Sequence, residues 1–296
     1  MNMNAGVQTV MVPTTYRQNA GKVSAEPLTE KQKVETLKFL ARRPLHAVIM
    51  SGWILEHGVV SPQHRGTFYG CWDGTGELVG VSLIGRNTLF EVITNEAIIE
   101  FARCARRCDD IRMIFAEDED LTTFWNHYGG SAPMPRLSRH QLVTSTGCEN
   151  EDIELVEELR VATSEDLDSV VVAHAEMVFA ETGVNPLDAD PEGFTMRCSR
   201  RVNEGKVWVW IKDGELIFKT DIVSVTPEAI YIEGLWVNPK ERGKGNSTRA
   251  LTSMCRRLLT GTNAICGFLD EAHIFAHSLY RKSGFTGIDR YAKIYL

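Results

Sequence analysis

The fold class the sequence predicts is α/β, in two tandem halves, and three observations carry it. The chain has 296 residues, which at roughly 100–200 residues per domain leaves room for two cores. Period-2 apolar runs alternate along the chain with helical 3.6-residue patterns instead of segregating into one class. Each half also follows the same plan of strands, then helix, then strand, although no short repeat is visible. With 43% hydrophobic, 24% charged and 8% aromatic residues, global disorder, collagen-like and coiled-coil architectures are excluded.

Taken in order, residues 1–28 show no structural period and read as a flexible leader. Structure is expected from Thr29, where Thr29 and Gln32 make a capping-box pattern ahead of Val34, Leu37 and Leu40. A second helical stretch runs over 45–57. FYGCW, a turn at Asp73-Gly74 and ELVGVSLIG predict paired strands. NEAIIEFARCARR then reads as helix, IRMIFA as buried strand, LTTFWNHY as short helix and RHQLVTS as strand. The carboxylate-rich segment CENEDIELVEEL reads as a linker, which sets the expected halves at 29–149 and 150–296.

Beyond it, LVEELRVA predicts a strand, and Ser164 caps a helix that Gly183 stops. A second helix covers 191–204. KVWVWIK and ELIFKTDIVSV flank Asp213-Gly214, a type I′ hairpin signal. AIYIEGLWV is a long strand leading straight into NPKERGKGNSTRALTSMCRRLL, a glycine-bearing loop that opens a helix. AICGFLD, HIFAHSLYRKSG and RYAKIYL complete the chain as strand, helix and strand.

Charge and cysteine usage narrow the function classes. Thirty-two Lys+Arg against 39 Asp+Glu give a net charge of −7, a poor balance for binding nucleic acid through its phosphates. The seven cysteines (71, 104, 108, 148, 198, 255 and 266) contain no CxxC pair, which removes the main support for zinc-ribbon or thioredoxin-like chemistry. Cys104 and Cys108, one helical turn apart, read as packed apolar side chains, and no metal is expected. No apolar stretch approaches the ~20 residues of a membrane span, and the first residues lack a signal-peptide pattern. The expected location is the cytoplasm, with no membrane partner; oligomeric state is not legible.

The most informative segment is 229–260. Arg242, Gly243, Lys244 and Gly245 fall where a strand ends and a helix begins, with Asn246 and Ser247 at the helix start. Backbone N–H groups there lack partners, and the helix dipole adds positive potential. Glycines let such a backbone approach an anion closely, so the element suits a diphosphate. GxxxxGK[ST] and GxGxxG are both absent, which excludes the P-loop and the dinucleotide fingerprint.

These residues resemble the GNAT acetyltransferase superfamily, whose acyl-CoA loop has the form [QR]xxGx[GA]. Here that window is Lys240–Gly245, with Lys in the first position. The superfamily's later signature, NxxAxxLYxKxGF, matches Ala276, Leu279, Tyr280, Lys282, Gly284 and Phe285, with His273 in place of Asn. The resemblance covers 154–296. Residues 29–146 are similar to the degenerate acetyltransferase-like domain that precedes such domains in bacterial proteins. They lack an RGxG loop after GVSLIGRNTLFEV, so no cofactor is expected there.

The resemblance implies the mixed-sheet acyl-CoA N-acyltransferase fold, and an acetyl transfer from acetyl-CoA to the primary amine of a small molecule or peptide. Direct attack through a tetrahedral intermediate is the implied route. Leu235, Trp236 and Val237 would present backbone to the pantetheine arm and thioester, Arg242–Ser247 would hold the phosphates, and His273 stands at a cofactor-side position. Tyr280 matches the acid that protonates the leaving thiolate. From alternation along the strand, Glu233 and Leu235 are expected on one face, and Glu233 is the candidate base, with Asp221 as an alternative. A lysine acceptor, near pKa 10.4, would need such a base far more than an α-amine near 8. His174 and His277 read as structural, and Trp208, Trp210 and Trp236 as core. The alternative function is an acyl-CoA-binding sensor without turnover. The acceptor-facing loops, 181–193 and 285–290, carry no readable code.

Overall fold

An edge strand opens the described chain: β1 (Ser24–Pro27) pairs antiparallel with β2 (Gly66–Trp72). The computed structural model describes residues 21–147 and 153–296. Between these two strands lie α1 (Lys33–Leu40) and α2 (Val48–His57). The Thr29/Gln32 capping box forms as the sequence predicts, on a short 3-10 turn that leads into α1. β3 (Leu78–Gly85) and β4 (Asn87–Val92) extend the meander, α3 (Asn95–Ala105) crosses over, and β5 (Met113–Glu117) returns parallel to β4. α4 (Asp118–Tyr128) and β6 (Arg136–Ser145) end the half.

The second half repeats the plan. β7 (Arg160–Val161) is followed by α5 (Leu167–Thr182), α6 (Pro186–Ala189) and α7 (Pro191–Asn203). β8 (Val207–Lys212), β9 (Glu215–Val225) and β10 (Ala229–Val237) form an antiparallel run. The hairpin turn carries Asp213 at φ 51° and Gly214 at φ 76°, the two positive values a type I′ turn requires. α8 (Asn246–Leu258) crosses over to β11 (Ala264–Asp270), parallel to β10, and α9 (Ile274–Lys282) leads into β12 (Thr286–Tyr295).

Among the described residues the strands join one twelve-stranded sheet, in the order β1-β2-β3-β4-β5-β12-β6-β11-β10-β9-β8-β7. The centre of that order is an exchange. β12, the last strand of the chain, pairs with β5 of the first half, and β6 pairs with β11 of the second. β6 and β12 then pair with each other over most of their lengths, from Thr144/Thr286 to Arg136/Tyr295. Each half therefore completes its sheet with the other's final strand. A mixed core seals the seam: Leu40, Val48, Ile54 and Phe115 of the first half pack with Tyr231, Cys266 and Tyr291 of the second. Alternation sets the opposite face of β10 and β11, where Ile230, Ile232 and Ile265 pack with Leu251 and Met254 of α8.

Three local expectations change. Residues 1–20 of the expected leader lie outside the described residues, but Ser24–Pro27 is strand; its four residues end in a proline and are too short to register as a period. Of LVEELRVA only Arg160–Val161 pairs. The carbonyls of Val156, Glu157 and Leu159 accept from the Arg257 guanidinium instead of a neighbouring strand. The run GVSLIGRNTLFEV divides at Arg86 into β3 and β4.

Two predictions follow from the seam. Proteolytic cleavage engineered within 148–152 leaves both pieces associated on size exclusion, whereas either piece expressed alone aggregates or loses its near-ultraviolet signal. A well-folded monomer from either piece would contradict the exchange. The second concerns His140 on β6, which is 5% exposed with Nδ1 unpartnered. Burial, with Lys293 nearby, pushes its pKa from 6.5 down to about 4. The folded state thus holds it neutral, so its contribution is present above the unfolded value and is lost as pH falls toward 4, on the order of 3 kcal/mol in all. The melting temperature should drop between pH 6.5 and 4, and His140→Phe should flatten that drop.

Candidate active site

The site begins where β10 and β11 part. Their parallel pairing covers Ala229/Ala264, Ile230/Ile265 and Tyr231/Cys266 and then ends, while β10 runs on to Val237 and β11 to Asp270. On its other edge β10 pairs Glu233 with Asp221 and Trp236 with Lys219, so Gly234 and Leu235 are skipped by the β9 ladder. This is a β-bulge, with Gly234 at φ +65°. A Cβ there would lie 2.8 Å from Asp221 Oδ2 and 3.3 Å from Lys219 Nζ, so both the backbone angle and the space call for glycine.

The bulge corrects one expectation. One extra residue resets the alternation, so Glu233 and Leu235 do not share a face. Leu235 and Val237 pack with the α8/α9 cluster around Leu251, Met254 and Tyr280. Glu233 lies on the other side, accepting from the Tyr231 hydroxyl at 3.3 Å and standing 3.7 Å from an Arg201 guanidinium nitrogen. Trp236 joins the α5/α7 side, where its Nε1 donates to Glu176 at 2.9 Å.

Past β10 the chain turns through Pro239–Glu241 into Arg242, Gly243, Lys244 and Gly245. Gly243 (φ +79°) and Gly245 (φ +82°) are both in the glycine-favouring region, and a Cβ on either would meet nothing within 4 Å. The bend is open. Gly245 sits at the N-cap of α8 and supplies no side-chain cap, leaving Asn246 and Ser247 at a helix start with free positive potential. Arg242 Nε donates to the Val237 carbonyl (3.2 Å), which folds its side chain back along the loop. Lys244 pairs with Glu241 at 2.9 Å, and the Asn246 amide donates to the same carboxylate at 2.7 Å. That donor pair holds the Glu241 pKa below the usual carboxylate value.

The equivalent junction in the first half is built differently. Only Ile93 and Thr94 connect β4 to α3, and the Thr94 hydroxyl accepts from the Ala97 N–H as an N-cap. The opening past the Leu89/Phe115 pair is occupied by Arg43, which lies 3.3 Å from Glu91 and also pairs with Glu117. A capped helix and a buried ion cluster leave that junction no anion cradle.

On the α8/α9 side, Tyr280 is 5% exposed and packs edge-on to Phe285, ring centroids 4.9 Å apart. A Cβ on Gly267 of β11 would sit 3.9 Å from the phenol oxygen and 3.2 Å from the Ile232 carbonyl oxygen. The phenol thus lies against the fork between the strands. Burial, with Cys255 and Glu233 adding, raises its pKa, so it is a protonated donor at neutral pH. His273 caps α9: its Nδ1 accepts from the Ala276 N–H at 3.4 Å.

Opposite lies a charged cluster that sequence reasoning largely missed. Lys219 and Asp221 are 1% exposed and paired at 2.5 Å. Arg201 of α7 reaches Asp221 at 3.3 Å, and Lys219 Nζ is 3.3 Å from His174 Nδ1 on α5. Burial, then the Lys219 charge, pushes His174 down to about 4, so it is neutral and accepts from Lys219. Burial lowers Lys219 against the opposing pull of Asp221. His174, read as structural, stacks on Phe194 with rings 5.4 Å apart and belongs to this cluster. One signal was available: in ELIFKTDIVSV two charges occupy alternate positions, hence one face, of an otherwise apolar strand.

The chain matches the family model described as acetyltransferase (GNAT) family over residues 174–285, a span that contains the fork, the glycine bend and Tyr280. No curated protein matches it. Among solved structures it resembles a tandem GNAT protein from the clavulanic acid biosynthesis pathway, at 13% identity and TM-score 0.59 over 93% of this chain and 98% of that one. A Drosophila protein superposes with TM-score 0.63 at 14% identity, covering 91% and 98%. A GNAT-family acetyltransferase from Colwellia psychrerythraea gives TM-score 0.57 at 13% identity, covering 92% and 99%. At these identities the likeness is one of fold, and it extends over both halves. Residues 174–285 thus match a GNAT-family acetyltransferase domain, and the chain as a whole shares the fold of a tandem GNAT protein.

Proposed function

We propose that the second half, taken as a domain over 150–296, binds acetyl-CoA and transfers its acetyl group to a primary amine. The observation that carries this reading is a juxtaposition. An open, uncapped glycine bend at the start of α8 adjoins a strand fork that a buried tyrosine borders on one side and a carboxylate on the other. The first half, 29–149, contributes strand β6 and a supporting wall.

The residues divide the work by face. Backbone N–H groups of Gly243–Ser247, with Arg242 and Lys244, hold the diphosphate. β10 from Leu235 to Val237 offers its unpaired edge to the pantetheine arm, and the Leu235 N–H at the bulge donates to the thioester oxygen. Such a preorganised donor is typically worth about 2.7–4 kcal/mol as negative charge develops on that oxygen. The amine enters from the α5/α7 face, where Glu233 takes its proton through water. The new C–N bond forms, the C–S bond breaks, and Tyr280 passes its phenol proton to the departing thiolate. Base and acid thus stand on opposite faces of β10, and the bulge at Gly234 turns Leu235 to the face of the acid.

Two variants test the reading. Gly243→Glu places a side chain and a negative charge in the bend at φ +79°; titration calorimetry should show acetyl-CoA affinity falling about tenfold or more, equivalent to about 1.4 kcal/mol. Unchanged affinity would refute the cradle. Tyr280→Phe should slow thiol release with an amine panel by about 10²–10⁴-fold while leaving acetyl-CoA affinity near its original value. A full rate in single turnover would remove Tyr280 from the acid role and favour a binding protein.

A further inference from the structure

Lys219 is an unexpected residue to find buried on an interior β-strand, and what it touches defines its work. Its ammonium has three N–H donors, and three acceptors surround it: Asp221 Oδ2 at 2.5 Å, His174 Nδ1 at 3.3 Å and the Gly234 carbonyl at 3.4 Å. The third is the informative one, because Gly234, with Leu235, is left out by both ladders. Its neighbour Thr220 donates its hydroxyl to the Glu233 carbonyl at 3.0 Å. Two adjacent side chains of β9 therefore pin two consecutive carbonyls of the bulge.

No described peptide bond is cis. In a planar trans peptide the C=O of one residue and the N–H of the next point in opposite directions. Fixing the Gly234 carbonyl toward the buried Lys219 accordingly aims the Leu235 N–H away from it. Leu235 has no partner in the β9 register and lies beyond the last β10–β11 pair. A positive charge on the carbonyl end also polarises the peptide and strengthens its N–H as a donor, as in any hydrogen-bonded chain. Asp221 and the neutral His174 hold the ammonium in place from below; Asp221 Oδ1 has no partner of its own, so the carboxylate serves Lys219 and Arg201 through Oδ2.

We propose that Lys219 is a positioning residue for acyl transfer: through the Gly234 carbonyl it orients and polarises the Leu235 N–H that stabilises the thioester oxyanion. This rests on the acetyl-CoA reading above and adds to it a residue that touches neither cofactor nor acceptor.

The test reads the thioester directly and needs no acceptor. Acetyl-CoA carrying ¹³C at the acetyl carbonyl is bound at saturation, and its carbonyl stretch is recorded by isotope-edited infrared difference spectroscopy. In the unaltered protein the band should lie below that of free acetyl-CoA, reporting a strong donor. In Lys219→Met/Asp221→Asn, which removes the buried pair as a unit and leaves no unpaired charge, most of that shift should vanish, with acetyl-CoA affinity within about threefold as the diphosphate site is untouched. Should the double variant fail to fold, Lys219→Met gives the same reading. A full shift in a folded variant lacking Lys219 overturns the proposal alone. Absence of acetyl-CoA binding by the unaltered chain overturns the cofactor reading, and this proposal with it.

Discussion

Parallel strands held by a ladder have no room between them, so the parting of β10 from β11 after Tyr231 and Cys266 is the constraint from which the site derives. It frees one edge of β10 in the interior of a sheet, where unpaired backbone groups are costly unless something supplies partners. A strand edge of that kind is suited to an extended, amide-bearing ligand such as a pantetheine arm. The same parting gives Tyr280 a place to lie beside Gly267, and it leads the end of β10 into the glycine bend before α8.

The bulge at Gly234 adds the second element. By inserting one residue it sends Glu233 and Leu235 to opposite faces, and it makes space for a lysine and an aspartate where apolar side chains would otherwise pack. A buried ion pair of this kind rarely adds net stability, because desolvation offsets most of the attraction. Its retention here fits a directional role, holding backbone dipoles in place. The charges are satisfied through geometry: Lys219 by three acceptors, Arg201 by Asp221 and Glu233, and His174 by remaining neutral.

Two halves with one plan have diverged at one junction. In the second half eight residues, 238–245, connect strand to helix and leave the helix start open; in the first, two residues do so and a threonine caps the helix. The opening between β4 and β5 holds Arg43 with Glu91 and Glu117, and burial raises the Glu91 pKa to about 7 despite the opposing pull of that guanidinium. What the first half keeps is its sheet, which β12 completes and whose last strand completes the other. The exchange ties the strand that follows Tyr280 to the first half's core through Tyr291, whose hydroxyl lies 2.8 Å from His46.

Local order was legible in the sequence wherever neighbours in the chain decide conformation. The capping box at Thr29, the stop at Gly183, the turn at Asp213-Gly214 and the glycine bend at 242–245 all depend on residues a few positions apart, and each forms where the sequence places it. Alternation gave the faces of β10 up to Glu233 and failed one residue later, since a bulge depends on what the adjacent strand pairs with. Ser24–Pro27 and the exchange of β6 and β12 were invisible for the same reason: strand partners are chosen by hydrogen bonds and burial between segments far apart in the chain, from Ser24 to Trp72 for β1 and more than a hundred residues for the exchanged strands. By itself, then, the sequence determined the kinds and order of elements and the two motifs that mark the family. Tertiary structure alone decided that Lys219, Asp221, Arg201 and His174 meet beneath Gly234, because only packing brings three elements to one point and only burial turns their charges into a fixed device.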